Sequence, residues 1–167
     1  MSNIVERVRN TYNEYPKQFW VLIGSSFIDS IGGSMMFPYF TLYLTKRFGV
    51  GMTQVGLVFS VFSITGLVGS TVGGALTDRW GRRTMLMFGL VTSALSSLLM
   101  GLANTFGLFI LVALVVGMLS HTGMPAQRAM VADLLPPHQR TQGYAMLRVV
   151  HNLAVAIGPA VGGFIAM

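Results

Sequence analysis

Apolar residues run through the sequence in five long blocks separated by short polar segments. A hydrocarbon core about 30 Å thick takes about 20 residues of helix to cross. The blocks are that long, so the pattern predicts membrane-spanning helices near Phe19 to Leu44, Val55 to Leu76, Met85 to Ala103, Phe106 to Val131, and Tyr144 to the end. The fold class expected is an all-α membrane protein. Ahead of the first block, residues 1–18 carry Glu6, Arg7, Arg9, Glu14 and Lys17. That is too polar for the apolar stretch of a secretory signal, so residues 1–18 read as a retained cytoplasmic tail and 19–167 as the transmembrane part. Ile4, Val8, Tyr12 and Tyr15 recur at helical spacing, which fits a short amphipathic helix on the membrane surface. A disordered tail fits equally well.

Composition agrees with this pattern. The chain is 53% hydrophobic and 10% charged, where soluble domains carry about a quarter charged residues. Eleven bases against five acids give +6. Nucleic-acid binders place such charge in a patch on a water-soluble face; here the bases fall between apolar blocks, and no nucleic-acid partner is expected. Their distribution sets orientation instead. With the N-terminus in the cytoplasm, Arg7, Arg9, Lys17, Arg79, Arg82, Arg83, Arg128, Arg140 and Arg148 lie at or near the cytoplasmic face, and only Lys46 and Arg47 lie outside. The absence of cysteine excludes disulfides, thiolate metal sites and cysteine nucleophiles. His121, His138 and His151 are dispersed without acidic ligands nearby, and there is no nucleotide loop or catalytic triad pattern. Neither a metal, a cofactor nor an enzymatic activity is expected.

Small residues mark the spans as packing helices, because close backbone approach replaces hydrophobic drive inside lipid. In the second span Gly66, Ser70 and Gly74 repeat every fourth residue, and Gly69 and Gly73 form a second pair. The segment Gly74-Ala-Leu-Thr-Asp78-Arg79-Trp80-Gly81-Arg82-Arg83 follows. Gly81 suits a backbone reversal that a Cβ would obstruct. Asp78 is close enough to the arginines for a charge-assisted bond, and near enough to a helix end to meet its backbone dipoles. A loop serving orientation alone needs the arginines but neither the aspartate nor the glycine spacing.

The segment resembles the cytoplasmic signature of the major facilitator superfamily, Gly-x-x-x-Asp-Arg/Lys-x-Gly-Arg-Arg/Lys, with Gly74, Asp78, Arg79, Gly81, Arg82 and Arg83 at its defined positions. Members have two six-helix halves, each built from three-helix repeats, with substrate held between them. The resemblance implies that this loop is a conformational latch, with Asp133 at the end of the fourth span joining Asp78 and Arg82 in a charge network. Local pairing of Asp133 with Arg128 or Arg140 is the alternative. In the fifth span, Ala154-x-x-x-Gly158-Pro159-x-x-Gly162-Gly163 resembles the superfamily's antiporter signature. Its proline removes a backbone donor and kinks the helix, its glycines open a groove for a neighbour, and the resemblance implies an element favouring exchange over uniport.

Asp29 is the only acid inside an apolar span, where an ionised carboxyl is costly unless paired or hydrated. A carboxyl drawn away from water favours its neutral form and can carry a proton reversibly. Asp29 and Pro38, in Phe27-Ile-Asp29-Ser-Ile-Gly-Gly-Ser-Met-Met-Phe37-Pro38, resemble the first-helix pattern of drug/proton antiporters, including tetracycline exporters. A structural acid that fixes the helix beside a cavity is the other reading. Gly32, Gly33 and Pro38 predict a bend facing that cavity, and Met35, Met36, Phe37 and Tyr39 face either the cavity or lipid. One departure stands out. Such antiporters carry Arg-x-x-Gln-Gly in the fourth helix, and aligning on Gly117 places Ala113 and Val116 there. Asp29 then needs a cation from His121, Arg148 or a helix beyond this chain. His121 reads more readily as a hydrogen-bonded structural residue than as a titrating cavity group; Arg148 and His151, one turn apart, are possible cavity residues, with Arg148 also able to snorkel to the interface.

Because the chain stops in or just after the fifth span, the resemblance implies a fragment of a larger transporter. Its expected partners are the lipid bilayer, a small-molecule substrate and the remaining helices of the parent protein. The function expected is proton-coupled efflux of small amphipathic molecules across the cell (inner) membrane. A metabolite facilitator or symporter, or a non-transporting scaffold or regulatory module, are the alternatives.

Overall fold

The computed structural model describes residue 6 and residues 12–165. Ile4 and Val8, on which the tail-helix reading partly rests, lie outside the described residues. The helices are α1 (Lys17–Phe48), α2 (Met52–Trp80), α3 (Arg82–Leu102), α4 (Phe106–Ser120), α5 (Gly123–Leu134) and α6 (Pro137–Ile165), with no strand among the described residues. Phe106–Leu134 counts as one span, which makes five helices among the described residues that are long and apolar enough to cross a membrane. Large apolar side chains such as Val21, Ile28, Ile64, Leu111 and Phe164 are exposed around the bundle. This is a multi-pass, all-α membrane protein.

Most helices run several residues past the apolar blocks, since Lys, Arg, Gln and Thr at their ends can reach the interface without breaking the backbone ladder. Local chemistry sets the stops. Gly49 closes α1 in a left-handed conformation (φ 65°), its N–H donating to Thr45 O at 3.0 Å. Gly81 joins α2 to α3 at φ 89° and ψ 147°, a conformation that a side chain would strain. Pro137 opens α6, where the missing donor costs nothing.

The fourth span was expected to be continuous, and the structure breaks it at His121–Thr122. Pro125 cannot donate to the His121 carbonyl, so Met124 N–H takes that acceptor from one residue nearer, at 3.4 Å, and the helix restarts at Gly123. Backbones approach closely at this break. A Cβ on Gly73 would lie 2.5 Å from Thr122 Cα, and one on Gly89 2.6 Å from Gly123 Cα. The buried stripe of α2 is therefore Gly66, Gly69 and Gly73, while Gly74 faces open space. The every-fourth-residue row through Ser70 and Gly74 is not the packed one, because a helix of 3.6 residues per turn keeps one face through alternating steps of three and four.

The helices form two groups. α1 packs chiefly on α6, and α2 and α3 pack on α4–α5. Two apolar clusters close opposite ends of the bundle. One joins Phe40, Leu44, Val58, Met100 and Phe109. The other, at the arginine-rich end, joins Tyr15, Phe19, Leu22, Val131 and Leu135. There Tyr15 donates to Gln142 Oε1 at 2.8 Å, and burial, with Glu14 adding to it, raises its phenol above the ordinary value of 10.0. A cavity lies between the clusters.

Candidate functional site

The cavity has a volume of about 830 Å³, within the range of small-molecule sites. Its wall is divided. Toward the Phe40 cluster it is apolar and aromatic, with Met36, Phe37, Phe59, Phe62 and Met100; toward the middle it carries Asp29, Ser30, Ser93, His121, Gln127 and His151. Phe37 and Phe59 meet edge to face at 5.8 Å between centroids, and Phe40 packs on both Phe59 and Phe62. A smaller cleft of about 350 Å³ on the outer α2–α5 face touches none of these groups.

Asp29 was expected to be enclosed in an apolar span, yet its side chain is exposed on the cavity wall. The reason is helical phase: Asp29, Gly33, Met36, Phe37 and Phe40 fall on the face of α1 turned from α6. Ser93 Oγ on α3 donates to Asp29 Oδ1 at 2.8 Å. No ion pair reaches Asp29 among the described residues. Ala113 and Val116 are buried in the Phe40 cluster, so α4 offers no cation. His121 Nδ1 lies 2.9 Å from Gly117 O, a bond to its own helix, while its ring covers Gly66. His151 Nδ1 lies 3.4 Å from Ser30 Oγ. Arg148 is exposed and outside the wall. Of the apolar residues read as facing cavity or lipid, Met36 and Phe37 line the cavity, and Met35 and Tyr39 turn to α6.

Sequence reasoning did not single out Ser93 or Gln127. Gln127 Nε2 donates to Ser26 Oγ, tying α5 to α1. The available signal was a polar residue recurring on one face of an apolar helix, as Ser93 and Ser97 do on the α3 face that also carries Leu86 and Leu90.

At the arginine-rich end Arg82 forms an ion pair with Asp133, the one such pair among the described residues, and its Nη1 also donates to Ala129 O at 3.3 Å. Arg140 Nε donates to Leu135 O instead, at 3.1 Å. Among the described residues the Asp78 side chain joins neither hydrogen bond nor ion pair; with Arg79 and Arg83 it is exposed, so two of the three residues expected in the network meet. In the fifth span the Ala154, Gly158, Pro159, Gly162 and Gly163 face receives α1. Ser34 Oγ donates to Ala154 O at 2.8 Å and Tyr39 OH to Pro159 O at 3.0 Å. A Cβ on Gly158 would fall on Ser34 Oγ, and one on Gly162 2.8 Å from Met35 O.

The sequence pattern of the Major Facilitator Superfamily matches residues 22–167. The chain belongs to that superfamily. Among its relatives in the superfamily, the Quinolone resistance protein NorA of Staphylococcus aureus is 27% identical over 150 residues, which is 90% of this chain and 38% of the relative. Multidrug resistance protein 2 of Bacillus subtilis is 28% identical over 159 residues, 95% of this chain and 40% of the relative. The chain thus spans about two fifths of the length of the curated relatives it matches. The Arg82–Asp133 pair lies beside the α2–α3 turn, and the Gly158–Pro159 groove seats α1.

Proposed function

We propose that the protein is a secondary active exporter of small amphipathic molecules in the bacterial plasma membrane, driven by proton antiport, with its N-terminus in the cytoplasm. One observation carries this reading. Among the described residues Asp29 is the single carboxylate on the cavity wall, beside apolar, aromatic and hydroxyl-bearing side chains, His121, His151 and Gln127, with no Lys or Arg. A carboxyl so placed can alternate between binding a proton and attracting a positively polarised substrate group, while Phe37, Phe59 and Phe62 supply surface for an apolar body. Exchange needs a change of face, and an exposed Arg82–Asp133 pair suits a contact that breaks and reforms, because such pairs contribute little net stability. The relatives named for quinolone and multidrug resistance support efflux of this kind. The remaining helices would complete the cavity from the opposite side.

A facilitator or symporter is the second reading, favoured by the buried Ala113 and Val116 where an intramembrane arginine would stand. The test is proton movement in vesicles. With the full-length protein in acid-inside proteoliposomes, an amphipathic fluorescent substrate added outside should dissipate the pH gradient as it accumulates. A facilitator equilibrates substrate and leaves the gradient intact, a symporter moves protons in the substrate's direction, and a non-transporting module moves neither.

A further inference from the structure

Hydroxyls in membrane helices commonly bond the carbonyl one turn back. On α3, Thr92 bonds Phe88 O and Gly89 O, Ser96 bonds Thr92 O, and Ser97 bonds Ser93 O. Ser93 alone of these four makes no bond to its own helix; its hydroxyl crosses the cavity to Asp29. The crossing joins helices that share no extended packing surface, since α1 leans on α6 and α3 on α4–α5. The Ser93–Asp29 bond therefore ties one helix group to the other.

We propose that Ser93 is a positioning residue: it orients the Asp29 carboxylate in the cavity and makes the tie between α1 and α3 depend on whether Asp29 carries a proton. The inference rests on the reading of Asp29 as the coupling acid. A hydrogen bond to a charged acceptor is stronger than one to a neutral acceptor. Proton uptake by Asp29 thus weakens the tie, and proton loss restores it. The other titratable groups facing the cavity are His151 on α6, beside Ser30, and His121 at the α4–α5 break, engaged with Gly117 O. α2 and α5 bring no ionisable group to the wall, Gln127 being the polar contribution of α5.

The experiment is the pH profile of exchange by the full-length protein in proteoliposomes, for wild type, Ser93→Ala, Ser93→Thr, Asp29→Asn and the Ser93→Ala/Asp29→Asn double variant. Losing one charge-assisted donor should move the half-maximal pH of Ser93→Ala upward by about one unit, a tenfold change in proton affinity. Ser93→Thr keeps the hydroxyl and should stay near wild type. Asp29→Asn should flatten the profile, and adding Ser93→Ala should change nothing further. A wild-type midpoint in Ser93→Ala, with Asp29→Asn flat, overturns the role of Ser93 and leaves the coupling acid standing. A wild-type profile in Asp29→Asn overturns both.

Discussion

Replacing Gly158 by alanine tests how α1 and α6 are held together. A methyl group there coincides with Ser34 Oγ and lies 3.0 Å from the Met35 backbone nitrogen. Ser34 cannot turn away without giving up its 2.8 Å bond to Ala154 O, which contributes about 1 kcal/mol. The Met35 contact is with backbone, so α1 itself must shift, and overpacking of this kind costs about 1–3 kcal/mol. Alanine's better helix propensity returns about 1 kcal/mol. Steric strain wins, and the net expectation is a loss of about 1–3 kcal/mol. The assay is thermal unfolding of the purified full-length protein in detergent, with Gly24→Ala as the control, because a Cβ at Gly24 meets nothing within 4 Å. Gly158→Ala should unfold several degrees lower and Gly24→Ala at or slightly above the wild-type temperature. Equal midpoints for Gly158→Ala and wild type would refute the claim that this glycine sets the helix separation.

Further outcomes follow from the same geometry. Arg82 and Asp133 are 40% and 52% exposed, so Arg82→Ala should cost at most about 1 kcal/mol of stability. Transport should fall in Arg82→Asp and in Asp133→Arg and recover in part when the two are combined, as read by vesicle uptake. Gly74→Ala should leave thermal stability unchanged or slightly raised, since nothing lies within 4 Å of the added methyl. Among the described residues the buried Tyr43 hydroxyl has no hydrogen-bond partner; Tyr43→Phe should leave stability unchanged or raise it by up to about 1 kcal/mol on denaturation.

The five spans were legible because an apolar block of helical length has few other uses. Their interruptions were harder to see. Pro125 stood in the sequence, but whether a proline kinks a helix or splits it depends on who takes the abandoned carbonyl, and here Met124 does. The α2 glycine face was legible as small residues, while its phase depended on where the α4–α5 break lies against it. Arg82 and Asp133 are far apart in sequence, so only the family resemblance joined them before the structure did. Asp29 drew notice as a lone acid, yet apolar periodicity does not distinguish a cavity wall from a lipid face or a core. Ser93 was hidden for a related reason: a serine in an apolar helix reads as a small packing residue until its hydroxyl is seen to leave the helix.

The most direct test of proton antiport through Asp29 separates exchange from its driving force. Full-length wild type and Asp29→Asn would be compared in proteoliposomes for substrate-for-substrate exchange without a gradient, and for accumulation driven by an imposed pH gradient. The account predicts that Asp29→Asn keeps exchange and loses gradient-driven accumulation. Accumulation at the wild-type level in Asp29→Asn would contradict it.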